Sequence, residues 1–82
     1  MYEILHIPTG LLYTCRFSET SVFTFIPNPD LYELDYAEEI IRNSIKDGRI
    51  CITFDTHAMR YNFEWIDISP NEFDILKVKG PL

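Results

Sequence analysis

The sequence predicts a small α+β domain: a mainly antiparallel sheet with one amphipathic helix packed on one face. Three observations point there. One long stretch, Ala37 to Ile45, carries apolar residues at helical spacing. Most of the remainder is short alternating or β-branched runs divided by turn residues. The chain has 82 residues, 46% apolar and 15% aromatic, enough for one dense core and too few for two. One domain over residues 1–82 is therefore expected. Its element order reads β-β-β-α-β-β followed by a short C-terminal helix.

Residues 2–17 read as a hairpin. Pro8 presets φ for a turn and Gly10 suits a left-handed position, so a three-residue loop Pro8–Gly10 is expected. That register sets Ile7 opposite Leu11, His6 opposite Leu12 and Leu5 opposite Tyr13. It gathers Leu5, Ile7, Leu11, Tyr13, Cys15 and Phe17 on a core face. Tyr2, Ile4, His6, Leu12, Thr14 and Arg16 fall on the other face, which is left open to a partner. Val22–Ile26 is a third strand, ended by Pro27-Asn28-Pro29, where Asn28 can cap a helical turn reaching Tyr32.

The main helix is placed at about 35–47. Asp35 stands at the cap, with Glu38 at capping-box spacing. Ala37, Ile40, Ile41, Ser44 and Ile45 make one stripe, and Gly48 is the stop. Arg49–Asp55 alternates, with Ile50, Ile52 and Phe54 on one side and Arg49, Cys51, Thr53 and Asp55 on the other. Thr56–Met59 is a hairpin connection to a strand over Tyr61–Ile68. There Tyr61, Phe63 and Trp65 share a face and are expected to pack on the helix as core aromatics. Ser69-Pro70-Asn71-Glu72 has the residue order of a helix start, which favours a short helix over 70–77; an edge strand from Phe73 to Val78 is the alternative.

Thirteen acids against seven bases give a net charge of −6. The clustered Lys and Arg that neutralise nucleic-acid phosphates are missing, so direct nucleic-acid binding is not expected. No apolar run has the length of a membrane span, and Met1–His6 does not resemble a signal peptide. A cytoplasmic protein with reduced thiols is the expectation.

No cofactor or metal is expected. His6, Cys15, Cys51 and His57 are too dispersed for zinc-ligand spacing. Cys51, Asp55 and His57 lie near one strand and could supply a nucleophile, a base and an orienting group. No Gly-rich turn or helix start accompanies them to hold an oxyanion. The aromatic stripe Tyr61, Phe63, Trp65 could stack on bases, but only Arg60 is basic nearby while Glu64 and Asp67 flank it.

The segment around the helix start is the most distinctive feature. Asp30, Glu33, Asp35, Glu38 and Glu39 are five acids in ten residues without a base among them. A solvated helix start favoured by the helix dipole accounts for them at minimum. Tyr32 and Tyr36 lie in the same run, and tyrosine is enriched where interfaces draw their affinity. The expected function is accordingly a small acidic, non-enzymatic protein–protein interaction or regulatory module. Size and acidity are of the kind common among accessory proteins of phages and bacteria, placing it in the host cytoplasm if viral. Its partner would be a protein with a basic surface. The contact would use Asp30, Tyr32, Glu33, Asp35, Tyr36, Glu38 and Glu39, or the open face of Tyr2, Ile4, His6 and Leu12, across which a homodimer could also form. One alternative is mimicry of nucleic-acid phosphates to inhibit a DNA- or RNA-handling enzyme. Another is a small enzyme using Cys51 and His57.

Overall fold

A computed structural model of the chain describes residues 1–14, 22–24, 31–55 and 61–78. Among these residues six strands and one helix follow one another: β1 (Tyr2–His6), β2 (Leu11–Thr14), β3 (Val22–Thr24), α1 (Leu34–Asp47), β4 (Arg49–Asp55), β5 (Tyr61–Asp67) and β6 (Phe73–Lys77). The strands form one sheet in the order β5-β4-β3-β2-β1-β6. Only β3 and β4 are parallel, the pair that α1 connects; every other neighbouring pair is antiparallel. The expected α+β architecture is the one observed.

The helix closes one face. Ala37 and Ile40 are buried against Ile4, Leu11, Tyr13, Phe23, Ile50 and Ile52, with Ile41, Ile66, Phe73 and Ile75 packed around them. This is the stripe read from the helical spacing, and Ile50 and Ile52 are on the side assigned to the core. Strand alternation puts Thr14, Val22, Thr24, Cys51 and Thr53 on the opposite face. These five are also buried, none more than 3% exposed.

Three expectations are corrected. The first hairpin has a four-residue loop, Ile7 to Gly10, so Leu5 pairs with Leu12 and His6 with Leu11. Gly10, at φ 72°, donates its N–H to the His6 carbonyl at 2.8 Å, closing the turn one residue wider than Pro8–Gly10. A one-residue slip exchanges the faces of β1. Ile4 and His6 therefore lie in the core, Leu5 moves to the other face, and Ile7 leaves the strand and is exposed. Leu11 and Tyr13 stay where the pattern put them.

The second concerns the helix entry. Glu33, extended at φ −71° and ψ 154°, is the capping position, and no side chain caps the helix. Tyr32 is not in a helical turn but in a β-bridge with Tyr2, donating and accepting at 2.9 and 2.8 Å. That bridge fixes where the chain can turn into the helix. Ala37 then bonds the Glu33 carbonyl at 3.0 Å, ahead of the expected Asp35 start.

The third is the C-terminal helix. Residues 73–77 are a strand, with five residue pairs running from Tyr2 opposite Lys77 to His6 opposite Phe73. The capping contacts read from the sequence are made all the same: the Glu72 carboxylate accepts from Ser69. They shape a turn, and the open edge of β1 then draws the following residues into a ladder, overriding a weak local preference. Phe17, Asn28 and His57 lie outside the described residues, as do Cys15 and Asp30.

Candidate functional site

The acidic helix start is built as a surface. Glu33, Leu34, Asp35, Tyr36, Glu38 and Glu39 are all exposed, Leu34 at 40% and Tyr36 at 49%. The bridge between Tyr2 and Tyr32 anchors this end of the helix, and the Tyr32 ring stacks against Tyr36 with centroids 5.4 Å apart. Tyr32 is only 8% exposed and belongs to the core, so it supports the surface without facing a partner. The Glu38 carboxylate lies 3.9 Å from Arg42, one turn on, and both are exposed; such a pair contributes little. The surface thus carries carboxylates in excess around two apolar side chains.

A groove of about 510 Å³ runs along one flank of the helix. It exists because α1 approaches β1, β6 and β4, leaving the rings of Tyr13 and Phe23 to border a space beneath the helix. Tyr36, Ile40, Asn43 and Asp47 recur at helical spacing along that flank, with Glu39 beside them. Arg49, Ile50, Cys51 and Trp65 border it on the strand side, Ile50 from the helix face and the other three from the residues that alternate away from it. The Arg49 guanidinium sits 4.6 Å from the centre of the Trp65 ring, a cation–π contact. The groove was not foreseen in the sequence, although Tyr36, Asn43 and Asp47 share a helical stripe that could have suggested it.

The open sheet face is not where it was expected. Ile4 and His6 are buried under the helix, and Tyr2 and Leu12 are half-buried. The exposed aromatics are instead on β5. Phe63 is 50% and Trp65 55% exposed, opposite Thr53 and Cys51 in the ladder and so on the face away from the helix. The expectation that they pack on the helix is corrected. Cys51 and Thr53 are buried on the neighbouring strand, and β5 lies at the sheet edge with β4 as its partner.

His6 has its own constellation, spread over positions the sequence gave no reason to join. Its Nδ1 is 2.8 Å from Thr9 Oγ1 and its Nε2 is 2.8 Å from Glu72 Oε2. The ring lies against Phe73 and Phe23, with centroids 5.3 and 6.0 Å away. The order hydroxyl, imidazole, carboxylate is that of a hydrolytic triad. The ring is 1% exposed, and Thr9 Oγ1 already accepts from the Leu11 N–H at 3.3 Å. The Gly10 N–H, which could serve an oxyanion, is spent on the His6 carbonyl. The hydrogen bond from His6 holds the Glu72 carboxyl below its ordinary range, with Ser69 adding to the effect against the opposing influence of burial.

Cys51 is buried, and burial pushes its thiol pKa up, with a backbone contact to Glu64 working the other way. A raised thiol holds less of the reactive thiolate. Among the described residues, no three His, Cys, Asp or Glu side chains converge to hold a metal ion. No helix there is long and apolar enough to cross a membrane. No protein-family model, curated protein or solved structure matches this chain.

Proposed function

We propose that this protein is a small acidic, non-enzymatic interaction module that binds a partner protein bearing a basic surface. The observation that carries this reading is the helix start, where exposed Glu33, Asp35, Glu38 and Glu39 surround exposed Leu34 and Tyr36. Apolar and aromatic side chains ringed by one sign of charge combine a contact patch with electrostatic steering. The buried, doubly bonded imidazole of His6 and the buried thiol of Cys51 speak against chemistry at either.

Charge reversal tests the proposal. The chain and a variant carrying Glu33→Lys, Asp35→Lys, Glu38→Lys and Glu39→Lys are immobilised and exposed to lysate of the native host. A partner retained by the parent, released by moderate salt and lost from the variant is expected. Equal retention by the two, with circular dichroism showing both folded, would refute the reading.

A further inference from the structure

We infer that β5 pairs edge to edge with β5 of a second copy of this chain, joining the two sheets into one. This goes beyond the proposed function and uses none of its residues. β5 ends the strand order, and its ladder with β4 runs through seven consecutive pairs without a bulge. The backbone on its outer side can be read from the inner side. Ile68 N–H donates to the Gly48 carbonyl at 3.1 Å, so in the antiparallel ladder the pair Cys51–Trp65, three residues on, does not exchange bonds. The Trp65 N–H and carbonyl therefore point to the open edge. Natural edges are blunted by lysine, proline or a bulge. Tyr61–Asp67 contains none of these, whereas the opposite edge, β6, carries Lys77. Glu64 and Trp65, on opposite faces, are both exposed, so the edge is uncovered above and below.

The occupant follows from symmetry. A two-fold axis through Trp65 makes this edge complementary to itself. Trp65 then falls opposite the copy's Trp65 and exchanges two backbone hydrogen bonds with it. Phe63 falls opposite the copy's Asp67, and Glu64 opposite the copy's Ile66, so no like charges stand directly opposite. A register centred on Glu64 would oppose two carboxylates, which cross-strand pairing disfavours. Phe63 and Trp65, 50% and 55% exposed in the single chain, share the face away from the helix. The chosen register gathers both rings of both copies into one patch. Each chain carries a net charge of −6, so association is opposed by repulsion and strengthened by salt. That is the reverse of the salt response expected for a basic partner.

The test is sedimentation equilibrium of the full chain at rising concentration, up to about 1 mM. Trp65 is the sole tryptophan, so its fluorescence reports the contact directly. A reversible dimer is expected, favoured by salt, with Trp65 emission moving to shorter wavelength and its amide exchanging more slowly as the dimer fills. Trp65→Lys, an exposed change whose fold circular dichroism checks, should weaken the dimer at least about tenfold by opposing two ammonium groups. Glu64→Gln lightens the repulsion and should strengthen it about threefold, a gain that misfolding cannot imitate. A single-chain mass at every concentration overturns the inference, as does a dimer that folded Trp65→Lys leaves intact. A dimer in which the Trp65 amide exchanges as fast as in the dilute chain overturns the strand pairing.

Discussion

His6 holds two distant segments together, with Nδ1 2.8 Å from Thr9 Oγ1 and Nε2 2.8 Å from Glu72 Oε2. Glu72 gives this contact a pH dependence. Its carboxyl is held below its ordinary value of 4.5, chiefly by the His6 hydrogen bond. A depressed carboxylate contributes stability that is present above the unfolded value and lost as pH falls through the folded one. Urea midpoints measured from pH 6 downward should drop on the acid side of 4.5, and Glu72→Gln should flatten that drop. Thr53 presents the opposite situation. Its Oγ1 is buried with no hydrogen-bond partner among the described residues. Thr53→Val keeps the shape and removes the unmet hydroxyl, so it should raise unfolding stability by about 1 kcal/mol.

At the scale of elements, the helix and β4 were the most legible because their information is local. Apolar spacing gave the stripe of Ala37 and Ile40, alternation gave Ile50 and Ile52, and Gly48 gave the junction between them. Gly48 sits at φ 75° and donates to the carbonyls of Ser44 and Ile45, and a Cβ added there would meet nothing within 4 Å. Gly48→Ala should therefore cost about 1 kcal/mol from backbone conformation alone, read as a lower thermal midpoint with an unchanged spectrum. The hairpin register was not legible. It depends on Thr9 meeting the ring of His6 and on the Ile7 N–H reaching the Glu72 carbonyl, a contact made by the far end of the chain. The same holds for residues 73–77, where a correct cap was followed by the wrong element.

Across the whole molecule, the fold class followed from composition and pattern, whereas strand order and the assignment of faces depended on long-range pairing. The acidic helix start was readable because exposure follows from a charge run. The groove was not, because it depends on which strands the helix leaves uncovered. The same pairing has a consequence for the chain as it is made. β1 sits between β2 and β6, and His6 and Glu72 are 66 positions apart. During synthesis, β2 emerges at once, whereas the other edge of β1 waits for β6. A nascent chain halted before Phe73 presents an unpaired strand edge, with Ile4 and His6 lacking their neighbours Ile75 and Phe73. Such an edge is a template for wrong pairing, and closing so long a loop is slow. β6 is thus a latch, and a chain halted before it leaves the β1 edge open to wrong pairing.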